Sequence, residues 1–319
     1  MPLAGRPFLT FMLDWLGEHG VDDVVLSCGF LSDGVERVLG REYGGMGLTY
    51  VHEDEPLGTA GPVRLALDLG LLDERVLVLN GDVLTDLDLA AQLAWHEARG
   101  ASATLALVAV EDTASYGVVP TTPEGAVEAF LEKSAGPAPT NRINGGAYVL
   151  EREVVERIAP GRAVSFEREV FPALVGEGLF GFPAEGYWID IGTPERYLRA
   201  TWDLLSGRVK SALPPRDRGG SLRGPGSAAA PGARIGPLTV LGRDAWVGAG
   251  STVERAVLHD GVHVGSGCYV GEAVLGEGVV VGDGARIGAF ALVGSDARLD
   301  DGAVVAPGER VAPAERVGA

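Results

Sequence analysis

Aliphatic residues recur at intervals of six positions throughout the C-terminal part of the chain. The interval shortens to five immediately after Val253 and again just before Leu275, and is otherwise constant. The complete series is Ile235, Leu241, Val247, Val253, Leu258, Val264, Val270, Leu275, Val281, Ile287, Val293, Leu299, Val305 and Val311. A period of six fits neither an α-helix nor an alternating strand. Fixed-period self-similarity instead predicts a solenoid, in which each repeat packs on its neighbours.

The residues around each aliphatic support this interpretation. The chain has 48 glycines among 319 residues, and glycine often follows the aliphatic directly, as Gly248 follows Val247. Glycine permits the backbone conformations that tight corners need, and a small residue two positions earlier, such as Ala245, suits a crowded interior. The pattern resembles the hexapeptide-repeat left-handed parallel β-helix, which implies three hexads per coil and between four and five coils. In such a coil, Cys268 is expected to be a small buried residue.

The rest of the chain has a different pattern. Residues 1–208 alternate helical and strand patterns, which predicts an α/β domain with a mostly parallel sheet. Residues 209–234 are rich in glycine and proline, which predicts a linker without a core of its own. We therefore expect an α/β domain over 1–208, a linker over 209–234, a β-helix over 235–312 and a short tail over 313–319.

Charge and cysteine content limit the partners and the setting. With 44 acidic and 26 basic residues, the net charge is −18, which disfavours nucleic acids and anionic membrane surfaces. A small anionic ligand remains compatible, because loops and a divalent cation can reverse the sign of a pocket. The longest apolar stretch, Ala103 to Val110, is far shorter than the roughly 20 residues of a membrane span, and no secretory signal is legible. Cys28 and Cys268 fit a reducing cytoplasm.

Polar and glycine-rich segments follow several predicted strands of the α/β domain. Ligands of open α/β sheets bind at the carboxyl ends of the strands, so these segments are the candidate site. They are Glu53-Asp54-Glu55-Pro56-Leu57-Gly58-Thr59-Ala60-Gly61, Asn80-Gly81-Asp82, Phe130-Leu131-Glu132-Lys133, Asn144-Gly145-Gly146 and Trp188-Ile189-Asp190-Ile191-Gly192.

These segments, in this order and ahead of hexapeptide repeats, resemble the sugar-nucleotide pyrophosphorylases over nearly the whole chain. The motif Leu57-Gly58-Thr59-Ala60-Gly61 is most similar to that of the mannose-1-phosphate guanylyltransferases among them. The resemblance implies a Rossmann-like nucleotidyltransferase domain that transfers a nucleotidyl group from a nucleoside triphosphate to a sugar-1-phosphate and releases pyrophosphate. GTP and mannose-1-phosphate are favoured, and thymidylyl or uridylyl transfer to glucose-1-phosphate is the alternative.

Two carboxylates are the predicted metal ligands and catalytic residues. Asp82 and Asp190 each stand at the end of a predicted strand, and carboxylates are the protein ligands that Mg²⁺ uses when it bridges substrate phosphates. The alternative for Asp82 is a simple turn, and for Asp190 a turn or a helix cap.

The resemblance assigns the sugar side of the site to two further segments. Lys133 would pair with the sugar phosphate as a third catalytic residue, and Glu132 with sugar hydroxyls, although Ser134 replaces the proline of the family's F-x-E-K-P motif. Asn144 would bind the hexose and Gly145 would allow its close approach. An exposed ion pair and a turn are the respective alternatives.

The nucleotide side is assigned to the first segment and to a turn glycine. Gly58 would let the backbone lie against the base, with Leu57 and Gly81 also binding substrate, and Thr59 would cap a helix whose N-terminus favours anions. Glu53 offers two acceptors for the adjacent donors of guanine, which supports GTP. Its alternative is a solvated surface charge.

One part of the family pattern has no counterpart in this sequence. The family begins with a strand and a G-G-x-G-T-R-L-x-P-L-T loop that holds the triphosphate, and nothing matches them before Pro2. The first sheet strand is therefore expected to be missing. Two explanations are open, a start codon upstream of Met1 or a regulatory, sugar-nucleotide-sensing paralogue. For the β-helix we expect self-association into a homo-oligomer, with acyl transfer by His259 or His263, both expected to face solvent, as the alternative.

Overall fold

The structure is a computed structural model that describes residues 1–29, 32–114, 116–131, 138–211, 213 and 216–319. The chain divides into two compact units, Met12–Trp188 and a second unit that joins Met1–Phe11 to Ile189–Ala319. None of the described helices combines the length and the apolar character that crossing a bilayer requires.

Short strands and helices alternate as far as residue 206. The strands are β1 (Pro2–Leu3), β2 (Arg6–Pro7), β3 (Asp23–Cys28), β4 (Glu42–Tyr43), β5 (Met46–His52), β6 (Arg75–Leu79), β7 (Val83–Thr85), β8 (Ala103–Ala109), β9 (Arg142–Glu151), β10 (Leu179–Pro183) and β11 (Trp188–Asp190). The helices are α1 (Phe8–Glu18), α2 (Ser32–Leu39), α3 (Gly61–Asp68), α4 (Leu89–Arg99), α5 (Arg152–Glu156), a π-helical turn (Phe166–Val170), α6 (Phe171–Leu174) and α7 (Pro194–Ser206).

The described residues of the unit Met12–Trp188 form an α/β fold with two main sheets. One has the strand order β10-β8-β9-β6 and the other β3-β5-β4. The β3–β5 and β8–β10 pairs are parallel, whereas β4–β5, β6–β9 and β8–β9 are antiparallel. The ladder between β8 and β9 shifts register between Leu105 and Leu107, which lies opposite the bend at Gly145-Gly146. The irregularity therefore falls at one of the predicted site segments.

The core of this unit is packed around β8 and β9. All but the last residue of Ala103–Ala109 are buried, which is the near-continuous apolar run of a strand covered on both faces. Tyr148, Phe166 and Phe171 pack on one another, with ring centroids 4.9–5.5 Å apart. This aromatic cluster fixes the π-helical turn against β9.

The second unit contains a parallel β-solenoid, as predicted. Its strands are β12 (Leu222–Arg223), β13 (Ala228–Ala229), β14 (Arg234–Ile235), β15 (Val240–Leu241), β16 (Trp246–Val247), β17 (Thr252–Glu254), β18 (Val257–Leu258), β19 (His263–Val264), β20 (Tyr269–Gly271), β21 (Val274–Leu275), β22 (Val280–Val281), β23 (Arg286–Ile287), β24 (Leu292–Val293), β25 (Arg298–Leu299), β26 (Val304–Val305), β27 (Arg310–Val311) and β28 (Arg316–Val317).

These strands form three parallel sheets of six, six and five strands, which makes five complete coils and two further strands. The architecture is consistent with a left-handed β-helix. The predicted aliphatics from Leu241 to Val311 face the interior and form one buried cluster with most of the small residues that precede them, and Ile235 is partly buried against it. Cys268 belongs to this cluster and is buried, as expected, with its thiol donating to the carbonyl of Gly282 at 3.0 Å.

The solenoid begins before and ends after the expected range of 235–312. Leu222, Ala228 and Arg234 each start a strand of one of the three sheets, so the first coil lies within the expected linker, and β28 lies within the expected tail. The first coil was missed because Arg223 and Ala229, rather than larger aliphatics, stand in register with the inward residues Leu241 and Val247.

A carboxylate anchors the start of the solenoid. Asp217 accepts hydrogen bonds from the Ser221 hydroxyl at 2.6 Å, from the Arg223 guanidinium at 2.8 Å and from the N–H of Gly219 at 2.9 Å. Burial alone would raise the pKa of this carboxyl, but these hydrogen bonds outweigh it and lower the pKa to about 2. The turn is therefore held by an ionised group.

Helix α7 and the N-terminal residues belong to the same unit as the solenoid. The Trp202 indole donates to the carbonyl of Arg255 at 3.0 Å, and the Arg255 guanidinium lies 3.9 Å from the Trp202 ring. Tyr197 of α7 donates to the carbonyl of Pro2 at 2.8 Å and its ring contacts His259. His259 is therefore partly buried and burial lowers its pKa, so its expected solvent exposure was wrong, whereas His263 is exposed.

Candidate functional site

A cavity of about 400 Å³ opens in the unit Met12–Trp188. Its lining combines aromatic and aliphatic side chains with one amide, one carboxylate and one guanidinium. The lining residues are Tyr116, Gly117, Val118, Val119, Phe130, Leu131, Ile143, Asn144, Glu167, Arg168 and Pro172. Few polar groups in a mostly apolar pocket are typical of a small-molecule site. Asn144 is the one predicted site residue in this lining, and Glu132 and Lys133 lie outside the described residues.

Asn144 has a fixed orientation at the bend in β9. Its Nδ2 donates to the Tyr148 hydroxyl at 2.8 Å, and its Oδ1 accepts from the N–H of Gly146 at 3.0 Å. Each Nδ2 carries two hydrogens, so one N–H donor remains for a ligand in the cavity. Asn144 therefore both builds the turn, which was its alternative, and lines the pocket.

The bend places the Asn80-Gly81-Asp82 turn beside the cavity segment. Gly146 has φ +75°, and a Cβ there would lie 2.9 Å from the Asn80 amide. The N–H of Asn80 donates to the carbonyl of Gly146 at 2.8 Å. The predicted metal ligand Asp82 thus lies two residues after Asn80, which is hydrogen-bonded to the Asn144 turn. Burial raises the pKa of Tyr148, and the charge of Asp82 adds to this effect.

Gly145 is held from two sides. Its carbonyl accepts from the Trp188 indole N–H at 2.8 Å, and a Cβ at this position would lie 3.0 Å from the carbonyl oxygen of Ala106. Trp188 contacts Tyr116 of the cavity edge to face, with centroids 5.8 Å apart. Close packing against β8 is thus one reason for glycine here, whether or not a hexose also approaches.

The Leu57-Gly58-Thr59 loop is joined to the segment around Val164. The N–H of Val164 donates to the carbonyl of Leu57, and the N–H of Ala60 donates to the carbonyl of Val164, both at 2.9 Å. Gly58 has φ +74°, and a Cβ there would lie only 2.6 Å from the Val164 carbonyl oxygen. The loop glycine is therefore required by the fold itself.

Thr59 does not cap a helix, so that prediction was wrong. Helix α3 begins at Gly61, and its N-cap residue is Ala60, which offers no side-chain acceptor. The Thr59 hydroxyl donates instead to Glu167 Oε2 at 3.0 Å and accepts from the N–H of Phe166 at 2.8 Å. A carboxylate acceptor gives a stronger hydrogen bond than a neutral one, which accounts for this choice of partner.

Glu53 is engaged inside its own loop. Its Oε1 accepts from the Ser27 hydroxyl at 3.0 Å and its Oε2 from the N–H of Leu57 at 2.9 Å. Both carboxylate oxygens therefore stabilise the turn that leads into the Leu57–Thr59 loop. Recognition of guanine by Glu53 stays a prediction.

Glu167 and Arg168 are pocket residues that the sequence reasoning missed. Ser165 is the N-cap of the π-helical turn, and its hydroxyl accepts from the N–H of Arg168 at 3.3 Å and donates to Glu167 Oε2 at 2.8 Å. A serine followed by acidic residues is an N-cap signal that would have placed a helix start here. Within the described part of the chain, the Arg168 side chain is exposed and makes no ion pair.

Tyr148 holds the amide of Asn144. Its hydroxyl accepts from Asn144 Nδ2 at 2.8 Å. Burial of the phenol, together with the nearby Glu167 carboxylate, raises the pKa of Tyr148 far above its usual value. The hydroxyl therefore stays protonated and neutral beside the cavity segment.

Asp190 lies in the second unit and is paired with an arginine. Both of its carboxylate oxygens accept from Nη1 of Arg196, at 2.6 and 2.7 Å, while the N-cap of α7 is Thr193. Asp190 therefore does not cap the helix. This guanidinium offsets the charge of the carboxylate, and no group of three or more His, Cys, Asp or Glu side chains that could hold a metal ion is present in the described part of the chain. Coordination of magnesium by Asp190 stays a prediction.

Comparisons with known proteins cover both units. Residues 1–207 match the family model described as nucleotidyl transferase, and residues 219–319 match the GMPPB C-terminal domain. The chain is 42% identical over 268 residues to the mannose-1-phosphate guanylyltransferase of Mycobacterium tuberculosis, an alignment of 83% of this chain and 74% of that protein. It is 39% identical over 214 residues to the mannose-1-phosphate guanyltransferase of Schizosaccharomyces pombe, covering 65% of this chain and 58% of that one.

Two solved structures are also similar to this chain. HddC from Yersinia pseudotuberculosis is similar with a TM-score of 0.56 and 28% identity, over 63% of this chain and 86% of that chain. HddC complexed with GMP-PN has a TM-score of 0.54 and 26% identity over the same shares. Because the nucleotidyl transferase model matches well over half of the residues, this chain belongs to the nucleotidyl transferase family.

Proposed function

We propose that this chain transfers a guanylyl group from GTP to mannose-1-phosphate and releases pyrophosphate. The observation that carries the proposal is the cavity lined by Asn144 and Arg168, which is connected to the Leu57–Thr59 loop through Glu167. The names of the relatives from M. tuberculosis and S. pombe support the same reaction. The choice of guanine and mannose rests on these relatives and on the Leu57-Gly58-Thr59-Ala60-Gly61 motif.

The reaction needs positioning and charge stabilisation more than acid–base chemistry. A phosphate oxygen of mannose-1-phosphate attacks the α-phosphorus of GTP, the bond from that phosphorus to the bridging oxygen breaks, and pyrophosphate leaves with the electron pair. The nucleophile is already ionised, so no general base is required. Orientation of the two substrates then supplies much of the barrier reduction.

The chain's own residues would divide this task. The free N–H of Asn144 would donate to a hexose hydroxyl, and the Arg168 guanidinium would pair with the sugar phosphate across the cavity mouth. The Leu57–Thr59 loop would hold the nucleotide through backbone groups, with Glu53 fixing the loop. By the family resemblance Lys133 would add a second cation.

A divalent metal is common in this family, and Mg²⁺ is the ion we propose. When bound, it would supply positive charge to the phosphates. Coordination by Asp190, which is paired with Arg196, stays a prediction, so no step is assigned to the metal. Turnover with and without EDTA, followed by titration with Mg²⁺, tests the requirement.

Self-association through the solenoid and a cytoplasmic setting are further parts of this proposal. The last coil presents strand edges at Val304–Val305, Arg310–Val311 and Arg316–Val317, each of which pairs on one side in the described structure, and open edges favour pairing with another chain. Both cysteines are free thiols, which supports the cytoplasmic setting because a reducing compartment keeps thiols unpaired. Light scattering of the full chain, compared with a variant carrying Val304→Lys on the last coil, tests the oligomer.

The decisive experiment measures pyrophosphate release with purified protein, GTP, mannose-1-phosphate and Mg²⁺. Parallel reactions with dTTP or UTP and glucose-1-phosphate test the other bases and sugar. We expect turnover with GTP and mannose-1-phosphate, and a loss of at least tenfold in kcat/KM for Asn144→Ala. Tight binding of GDP-mannose without turnover would refute catalysis and indicate a sensor.

A further inference from the structure

Helix α4 contributes a buried amide to the bend in β9. The helix begins at its N-cap Asp88, whose carboxylate accepts from the N–H of Ala91 at 2.9 Å. Its buried face carries Leu89, Gln92 and His96, at the i, i+3 and i+7 spacing of a packed helix stripe. Gln92 is 1% exposed, although glutamine is mostly a surface residue. Its amide must therefore find hydrogen-bond partners inside the protein.

The Gln92 amide joins β8 to β9. Its Nε2 donates to the carbonyl of Thr104 at 3.2 Å and to the carbonyl of Ala147 at 3.1 Å. A primary amide nitrogen carries two hydrogens, so each carbonyl receives one of them. The opposite orientation of the amide would direct Oε1 at two carbonyl oxygens, which cannot donate. The two carbonyls therefore fix the orientation of the Gln92 side chain.

The carbonyl of Ala147 lies where the ladder between β8 and β9 is interrupted. The register shift leaves one residue of β8 opposite the three residues Gly145-Gly146-Ala147. Regular pairing with β8 therefore does not continue through this part of β9. Ala147 is 2% exposed, and a buried carbonyl without a donor is costly. Gln92 supplies a donor from the helix at the point where the ladder fails.

Three consecutive carbonyls of the bend are held by donors from three different parts of the chain. The donor and acceptor pairs are Trp188 with Gly145 at 2.8 Å, Asn80 with Gly146 at 2.8 Å, and Gln92 with Ala147 at 3.1 Å. Within the same bend, Asn144 Oδ1 accepts from the N–H of Gly146 at 3.0 Å. The direction of the Asn144 amide in the cavity therefore depends on how the bend is held.

We propose that Gln92 is a positioning residue, which holds the bend so that the Asn144 amide is aligned for the hexose. This inference rests on the function proposed above. Gln92 is not among the described residues that line the cavity, so it acts through the main chain at Ala147. Without its two N–H donors the bend loses its attachment to α4. A binding group that the substrate itself must order binds that substrate more weakly than one already in place.

The test measures binding of mannose-1-phosphate by calorimetry, in the presence of a saturating non-hydrolysable α,β-methylene analogue of GTP. Gln92→Met nearly keeps the length of the side chain but removes both donors, and we expect the dissociation constant to rise at least fivefold.

His96→Leu is the matched control. His96 is also 1% exposed and lies on the same face of α4. Its ring is hydrogen-bonded to the Thr104 hydroxyl and to Glu151, both at 2.9 Å, and Glu151 is the last residue of β9, away from the bend. We expect the dissociation constant of His96→Leu to stay within twofold of that of the unchanged chain.

A double-mutant cycle separates positioning from a general loosening of the fold. Because Gln92 acts through Asn144, adding Gln92→Met to an Asn144→Ala chain should change the dissociation constant less than twofold further. Equal losses of affinity in Gln92→Met and His96→Leu show a merely structural role and overturn the inference. A full fivefold loss in the Asn144→Ala chain, or an unchanged affinity in Gln92→Met alone, also overturns it.

Gln92→Glu covers the case in which Gln92→Met does not fold. Glutamic acid keeps the shape of glutamine and, when protonated, offers one O–H donor in place of two N–H donors. We expect the N–H of Gly146, followed by hydrogen exchange without ligand, to exchange at least threefold faster in Gln92→Glu and at an unchanged rate in His96→Leu. An unchanged rate in Gln92→Glu overturns the inference.

The two measurements distinguish this inference from the proposed function. If the unchanged chain binds neither mannose-1-phosphate nor the GTP analogue, the proposed function is refuted. The exchange rate of the Gly146 N–H needs no ligand, so it still decides whether Gln92 holds the bend. If both ligands bind but the affinity and the exchange rate do not respond to Gln92, the positioning role is refuted and the proposed reaction stands.

Discussion

Replacing Gly58 by alanine tests whether the nucleotide loop depends on contact with Val164. Gly58 has φ +74° and its added Cβ would lie 2.6 Å from the Val164 carbonyl oxygen, 3.1 Å from the carbonyl carbon and 3.2 Å from the nitrogen. All three atoms belong to the backbone, which cannot move aside as a flexible side chain could. Either the loop shifts or the Val164 segment does, and both are held by the two 2.9 Å hydrogen bonds.

The magnitude has two parts. The positive φ costs an L-residue roughly 1–2 kcal/mol, of which up to about 1 kcal/mol is offset by reduced freedom of the unfolded chain. The clash adds about 1–3 kcal/mol, the usual cost of overpacking. Gly70 is a matched control, because its φ is +73° and nothing lies within 4 Å of its added Cβ. Gly70→Ala should therefore incur only the first part.

Urea unfolding of the full chain, followed by circular dichroism, measures both variants. We expect Gly58→Ala to lose about 2 kcal/mol more than Gly70→Ala, and to bind GTP at least tenfold more weakly while Gly70→Ala binds it normally. Equal losses of stability in the two variants would refute the steric reasoning. Normal GTP binding by a destabilised Gly58→Ala would show that the loop does not hold the nucleotide.

Three further predictions concern the solenoid, its first turn and the cavity. Val264→Ala removes two methyl groups from a position that is 0% exposed and should lower the free energy of unfolding by about 1–3 kcal/mol. His263→Ala, at the neighbouring exposed position, should change that free energy by no more than about 0.5 kcal/mol. Equal effects would contradict the inward register of Val264. Because the pKa of Asp217 is lowered from 3.8 to about 2, the stabilisation that this carboxylate gives the fold is complete above pH 4 and is lost as the pH falls to 2. The melting temperatures of Asp217→Asn and the unchanged chain should therefore converge across that range. A difference that persists at pH 2 would contradict this role of Asp217. Arg168→Gln should raise the dissociation constant for mannose-1-phosphate at least tenfold, as expected for loss of a charge-assisted hydrogen bond, while Arg157→Gln, whose guanidinium pairs with Glu177 at 3.1 Å, should not change it.

The solenoid was predictable because its chain neighbours are also its structural neighbours. Inward positions such as Val247, Val264 and Val281 pair in register on successive strands, so the sequence period is the coil period. The prediction failed at the first coil, where the inward residue is alanine at Ala229, because a small residue carries little hydrophobic signal. It also ended one strand early, before Val317, which pairs with Leu299. The extent of the solenoid was therefore underestimated at both ends.

The site was predictable only in its segments. Strand-end reasoning selected Asn144 and the Asn80–Asp82 turn, which the structure brings together through Gly146. It did not select Glu167, because the partner that makes this carboxylate important, Thr59, is 108 residues away. A local pattern identifies which residues are polar, whereas their partners depend on the tertiary fold.

The partners of the acidic side chains also explain how a chain of net charge −18 can offer a site to anionic substrates. Glu53 accepts from Ser27 and Leu57, and Glu167 accepts from Thr59 and Ser165. Their oxygens are directed into protein donors, so their negative charge is stabilised within the loops. The exposed Arg168 makes no ion pair in the described part of the chain and remains available to an incoming phosphate. Local hydrogen bonding, rather than net charge, therefore decides which anions this pocket can accept.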